Sequence, residues 1–305
     1  MPHDAVRCLV GSTGSGKTDV GIHAARQTDG EIICCDAYTV YRGMPILTAA
    51  PTPPSDVPHH LVGILNGYDT YDAKRFLTDC DHEVEGIRAR GHTPWIVGGT
   101  ALYLRCWLKG MGTDVPTDPD YRAALKARVA AEGREVLHAE LERVDPERAS
   151  ELHPNDLRRI VRALEIVRAT GRPASDFRLD WRAPDRVQAR VVALRRTWED
   201  LDERIERRTD QMFGAGLLEE ARELLAAEPP LSPQAAKVLG LEELRLLLAG
   251  EIDASEARTR IIQRTRRFAR KQMTFFRSFE GLAWVDVGPD DDPAEVAERV
   301  LGALA

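Results

Sequence analysis

Lysine is scarce in this chain: of 305 residues 42 are basic, and only six of those are lysines. Long apolar runs are missing as well. Nothing approaches the ~18 consecutive apolar residues of a membrane-spanning helix, which excludes that class. The opening "MPHDAVRCLVGS" lacks the basic-then-apolar order of a secretory leader, so a cytoplasmic protein is expected. The five cysteines are odd in number and lack metal-type spacing. Cys34 and Cys35 adjoin on a strand-like segment, where packing in a reduced core accounts for them. There is no internal repeat, and no low-complexity segment beyond a short proline run, which excludes a solenoid. What remains, 43% apolar and 30% charged, suffices for a large α/β domain or a core carrying a smaller insertion.

The net charge of −7 argues against a polyanionic partner, but its distribution argues the other way. Leu157 to Arg196 holds eleven arginines against four acids, and Arg258 to Arg277 holds eight basic residues and no acid. Such stretches present a local basic surface to a nucleic acid, or else line solvated helix faces in an arginine-preferring chain.

The first hundred residues alternate in the βαβ manner. "AVRCLV", "EIICCD" and "TPWIVGG" are short apolar strands separated by helices near Asp19–Gln27 and Ala73–Arg90, which predicts a parallel sheet covered on both faces. A loop rich in proline and histidine, "PILTAAPTPPSDVPHHLVGI", follows the second strand. From Tyr121 to Arg172 apolar residues recur at three- and four-residue spacing with no strand between them. "RVQARVVALRR" then returns to a strand, so 118–187 is expected to be a helical insertion between core segments 1–117 and 188–305. A basic helix over 254–279, the strand "LAWVDV" and a terminal helix complete the chain. The fold class is α/β: a phosphate-loop parallel sheet flanked by helices, with an all-helical insertion domain.

"GSTGSGKT" carries the chemistry. Gly11, Ser12, Thr13, Gly14, Ser15 and Gly16 form a loop whose amides converge on an anion at the start of the next helix. Lys17 supplies a point charge to the terminal phosphate, and the Thr18 hydroxyl is placed for Mg2+. A motor or signalling NTPase would also need an acid on a later strand, but "TPWIVGG" runs into Thr100 instead. The acid is Asp36, after the second strand, where it serves as a base on an acceptor or as a turn aspartate. Thr100 is a site hydroxyl or a helix cap. A phosphate-loop kinase that uses ATP on a small molecule remains an alternative at this point.

The succession "GSTGSGKT", "DAYTVYRGMPILTAAPT", "VPHHLVGI", "GGTALYL", "HPNDLRRIVRALEI", "RIERRTDQMFGAGLLEE" and "TRRFARKQMTFFR" resembles the tRNA dimethylallyltransferase family over about residues 8–286. The resemblance implies transfer of a dimethylallyl group from its diphosphate to N6 of adenosine 37 in tRNA, beside the anticodon, without ATP. It further implies that Lys17, the loop and Mg2+ stabilise the leaving diphosphate, with Arg208 as a clamp and Arg204 as a weaker second. Asp36 would be the base, with Thr100 near the reacting group. Asp36, Ala37, Tyr38, Thr39, Thr100, Arg122, Arg158, Arg159, Arg162 and Gln272 are the implied tRNA positions, the insertion gripping the anticodon stem-loop of a flipped base. Nothing in the sequence demands more than a monomer. The chain departs from the family pattern at Ala37, Thr39, Ala50 and Leu241–Glu242.

Overall fold

The computed structural model describes residues 5–51, 56–178, 181 and 183–305. The chain divides into two compact units, one of residues 1–109 and 184–305, the other Gly110–Ala183; the helical periodicity had set the second at 118–187.

In the larger unit, β1 (Val6–Gly11) runs into α1 (Lys17–Gln27) and then β2 (Gly30–Cys35). α2 (Pro45–Thr48), the two-residue β3 (His59–His60), α3 (Ala73–Ala89), β4 (Thr93–Gly98) and α4 (Ala101–Lys109) follow. The described residues form a six-stranded, all-parallel sheet in the order β3-β2-β4-β1-β5-β6, where β5 is Ala189–Arg195 and β6 is Ala283–Asp286. The edge strand β3 and the turn α2 lie within what reads as a loop in the sequence; two residues are too short for periodicity to register. Thr52–Ser55 of that stretch fall outside the described residues.

Every residue of β2 is buried. The pleat nonetheless sorts its side chains between two layers. Ile33 and Cys35, with Cys8 and Val10 of β1 and Ile96 of β4, pack beneath Phe76, Val84 and Ile87 of α3 and Leu104 and Trp107 of α4. Ile32 and Cys34, with Leu9, Trp95 and Val97, pack on Val20, Ala24 and Ala25 of α1 and on Val296 and Val300 near the C-terminus. A strand buried on both faces is apolar throughout, which is why these segments showed no alternation. Cys34 and Cys35 are core residues, and burial pushes the Cys34 thiol up to about 12, leaving it inert at neutral pH.

The smaller unit packs α5 (Pro119–Glu132), α6 (Glu135–Val144), α7 (Pro146–Glu151) and α8 (Leu157–Thr170) around Leu125, Leu137, Leu141, Ile160 and Leu164. Asp118, Asp145 and Asp156 cap three of these helices by accepting backbone N–H groups. Back in the larger unit come α9 (Trp198–Gly214), α10 (Leu217–Leu225), α11 (Leu241–Leu248), the 23-residue α12 (Ala254–Phe276) and α13 (Pro293–Ala303). Among the described residues no helix is long and apolar enough to cross a membrane.

At the opposite end of β2 from its last residue, Glu31 is a buried carboxylate that accepts a two-pronged bond from Arg90 (2.9 and 2.7 Å). His60 of the edge strand meets it at 2.6 Å and reaches Glu83 of α3 at 2.9 Å through its other ring nitrogen. Hydrogen bonding from Arg90 first, then from His60, holds the Glu31 carboxyl near 2, well below its ordinary 4.5. A depressed carboxyl stabilises the fold fully above its unfolded value and loses that contribution as pH falls toward its folded value. Glu31→Gln is therefore expected to melt below the wild type at pH 7. The gap should narrow steadily once pH drops under about 4.5, as followed by circular dichroism.

Candidate active site

The C-terminal ends of β1, β2 and β4 open onto one cluster of side chains. Gly11 ends β1, and Gly14 and Gly16 adopt left-handed φ of 80° and 87°, which a side chain would resist. Lys17, the first residue of α1, folds back so that its Nζ donates to the Ser12 carbonyl at 3.3 Å. Burial pushes the Lys17 ammonium down to about 8, against an upward pull from Asp36 and helped by the nearby charge of Arg208. The Ser12 and Ser15 hydroxyls are buried and have no partner among the described residues, so polar capacity inside the loop exceeds what the fold uses.

The outside of the loop is fastened by side chains from later in the chain. Arg208 of α9 donates to the Thr13 hydroxyl at 3.2 Å, and burial depresses its guanidinium. One turn earlier, Arg204, the weaker second clamp of the sequence reading, donates through Nε to the Gly14 carbonyl at 2.7 Å and so supports the loop. Arg196, just after β5, was not foreseen at all. It is buried, and its Nε donates to the Ser15 carbonyl at 2.9 Å, while Nη1 serves Asp200 (2.6 Å) and the Gly288 carbonyl (2.7 Å). A carbonyl drawn outward turns the following N–H of the same peptide inward, so Arg196 aims the Gly16 amide into the cradle. The signal in the sequence was thin: an arginine four residues before an aspartate, across a threonine that caps α9.

Asp36 follows β2 directly. Its Oδ1 accepts from the Tyr38 and Thr39 amides (2.9 and 3.3 Å), so it does make the turn its position suggested. Its Oδ2 has no partner among the described residues. The charges of Lys17 and Arg208 both respond to it. Thr100 sits opposite, its hydroxyl accepting from the Ala37 amide at 3.2 Å and its own amide donating to the Cys35 carbonyl at 3.2 Å. Ala37 and Tyr38 are half-buried, and the Tyr38 hydroxyl donates to the Lys237 carbonyl. Thr39 is buried, its hydroxyl turned inward, and offers no edge to an incoming base.

Several implied tRNA positions have other work. Gln272 is buried, accepting from the Thr13 amide and donating to the Gly99 carbonyl, so no amide face is presented outward. In the smaller unit Arg122 forks onto the buried Glu165 at 2.7 and 2.8 Å; Arg162 donates to the Val115 carbonyl at 2.7 Å and approaches the same carboxylate. Both guanidinium groups are thus ties within this unit, Arg122 holding α5 to α8 and Arg162 holding the segment at Val115 to α8. Arg158 and Arg159 of that helix are exposed, Arg159 with only a 3.4 Å contact to Asp156. On α12 the basic run is largely neutralised: Arg258, Arg266 and Arg270 pair with Glu206, Asp210 and Asp202 of α9, Arg260 with Glu256, and Arg264 with the buried Glu243 of α11. Arg267, Lys271 and Arg277 are exposed and have no ion pair among the described residues.

The IPP transferase family model matches residues 39–279. A tRNA dimethylallyltransferase of Anaeromyxobacter dehalogenans is 39% identical over 96% of this chain and 97% of its own. One from Thioalkalivibrio sulfidiphilus is 40% identical over 97% and 94%. A solved tRNA isopentenylpyrophosphate transferase from Bacillus halodurans superposes with a TM-score of 0.70 at 32% identity, covering 99% of this chain and 97% of that one. A eukaryotic dimethylallyltransferase solved acting on tRNA superposes at 0.77 with 25% identity, over 93% of this chain and 74% of that one.

An ammonium near 8 must be protonated to hold an anion, so the Lys17 contribution to affinity is complete below that value and is lost as pH rises through it. Inorganic diphosphate binding is expected to weaken above pH 8 with uptake of a proton, measured by calorimetry in buffers of differing ionisation enthalpy. Lys17→Arg should abolish the proton uptake, since an arginine stays charged throughout.

Proposed function

The chain belongs to the IPP transferase family, and from that membership we propose that it transfers a dimethylallyl group from dimethylallyl diphosphate to N6 of adenosine 37 in tRNA, releasing diphosphate. The observation that carries this reading is the meeting of two loops: the phosphate cradle after β1 and the Asp36–Thr100 pair after β2 and β4.

In the proposed step the bond between the allylic carbon and the diphosphate oxygen breaks, its electrons leaving with the diphosphate. The N6 lone pair forms the new carbon–nitrogen bond, and the N6 proton passes to Oδ2 of Asp36. Lys17, Arg208 and the loop amides meet the charge that grows on the departing group. Thr100 holds the Ala37 peptide and so fixes the direction of the neighbouring carboxylate. An exocyclic adenine amine is weakly nucleophilic, so orientation by these groups counts for more than basicity.

For Mg2+ the protein offers the Thr18 hydroxyl at the start of α1, and no group of three or more histidine, cysteine or acidic side chains among the described residues could hold a metal. That set fits an ion carried largely by diphosphate oxygens and water, as is common for Mg2+. When bound it would supply further neutralisation of the leaving group.

For tRNA, the exposed Arg158 and Arg159 of α8, Arg267 and Lys271 of α12 and Arg277 just past its end are cations free for phosphate contacts. One chain holds every residue named, so a monomer acting in the cytoplasm suffices. The kinase reading is disfavoured because the family match spans the basic segments that reading leaves idle.

Label from dimethylallyl diphosphate should enter unmodified tRNA bearing adenosine 37, with Mg2+ and without ATP. ATP consumption on a small hydroxylated acceptor, with no label in tRNA, would replace this reading by the kinase. Asp36→Ala should slow turnover about 100- to 10,000-fold, the range for a general base, with tRNA affinity nearly intact. Arg158→Ala and Arg159→Ala should each weaken tRNA binding and reduce the salt slope of log K by about one. A slope that does not move would remove that residue from the phosphate contacts.

A further inference from the structure

Gln272 connects the two loops of the site. From α12 its side chain reaches between them: the Thr13 amide donates to Oε1 at 2.9 Å, and Nε2 donates to the Gly99 carbonyl at 2.9 Å. The next residue, Thr100, holds the Ala37 peptide beside Asp36. A continuous path therefore runs from the phosphate cradle through one amide side chain to the turn that carries the base. We propose that Gln272 is a positioning residue that sets the spacing between the donor cradle and the acceptor base. It is not a contact to tRNA. The proposal rests on the transfer reaction above.

The chemistry at this position explains the residue type. The site presents one N–H and one C=O on opposite sides of a narrow gap, so its occupant must both accept and donate, and the amide orientation is dictated by those partners. Space there is tight: a methyl on Gly99 would lie 2.6 Å from Gln272 Nε2 and 3.5 Å from Lys17 Nζ. A carboxylate in place of the amide would sit beside Lys17 and compete with the diphosphate for it. A cation would add to the repulsion from Arg208, which lowers the Lys17 pKa beyond the larger effect of burial. A neutral side chain with both functions, about the length of glutamine, is what remains. The residue is 7% exposed, and both hydrogen-bonding ends of its side chain are turned into the protein.

Positional control predicts a specific kinetic pattern. Reacting atoms misplaced by about 1 Å can lose a hundredfold in rate with binding little altered. In single-turnover transfer with the full chain, saturating tRNA and labelled dimethylallyl diphosphate, Gln272→Met should slow the chemical step by about a hundredfold, with tRNA affinity and its salt slope unchanged. Gln272→Glu keeps the acceptor for Thr13 and loses the donor to Gly99. It should fall between the two on rate, bind inorganic diphosphate more weakly than wild type, and serve as the test if the methionine variant does not fold. Gly99→Ala, which pushes on the same amide from the other side, should be costly in the wild type and much less so beside Gln272→Ala. A wild-type rate in the methionine variant overturns the proposal. So does full additivity of the Gly99 and Gln272 substitutions. Loss of tRNA affinity with an unchanged rate at saturation would make Gln272 a tRNA contact after all. Failure of the wild-type protein to label tRNA would instead overturn the reaction itself, a result distinct from these.

Discussion

Crowding of positive charge around one short loop is the constraint on which this structure turns. Lys17, Arg196, Arg204 and Arg208 all bear on residues 12–15, and Arg196 and Lys17 have little water to screen them. Buried like charges repel, and each demands a partner. Asp200 answers Arg196, and Asp36 draws on both Lys17 and Arg208. The acids of α9 that face α12 complete the balance, because the helix bearing Arg204 and Arg208 is fastened along its other side by Arg258, Arg266 and Arg270. The basic run of α12 is thus in large part scaffolding for the loop. Its free cations reduce to a short stripe near its C-terminal end.

The division between scaffold and surface repeats in the smaller unit. Glu165, buried on α8, gathers Arg122, Arg162 and the Asp118 amide, and leaves Arg158 and Arg159 pointing outward. Arginine suits both tasks, since its fork satisfies a carboxylate and a carbonyl at once and stays charged when partly buried. That versatility gives a physical sense to a chain with six lysines among 42 basic residues.

The phosphate loop, the parallel sheet and the family were legible in the sequence because each is written in contiguous residues: a glycine spacing, runs of buried apolar residues, ordered blocks. Asp36 and Thr100 could be located by their place at strand ends. What could not be read was which cations are engaged. Arg122 and Arg162 differ from Arg158 and Arg159 through partners that packing supplies: Glu165, which meets Arg122 across two helices, and the Val115 carbonyl, which meets Arg162. Gln272 lies in a basic block and reads as part of it until the fold places it 2.9 Å from a loop residue 259 positions away. Arg196 was invisible for the same reason. Side chains that act across long sequence separations leave no local pattern, and the two-residue strand β3 leaves too little of one.

The end of β4 restricts which side chains the site can acquire. In loops of this type that drive hydrolysis, an acid on a neighbouring strand places a water in line with the phosphate. Here a side chain at Gly98 would put its first carbon 2.1 Å from the Cys35 carbonyl, and at Gly99 2.6 Å from the Gln272 amide. At Gly98 the obstacle is the backbone of β2, which would have to be displaced; at Gly99 it is the far end of one side chain, which would have to give way. An acid at the end of this strand is therefore barred at Gly98 by backbone, and at Gly99 it would have to arrive together with a shift of the Gln272 side chain.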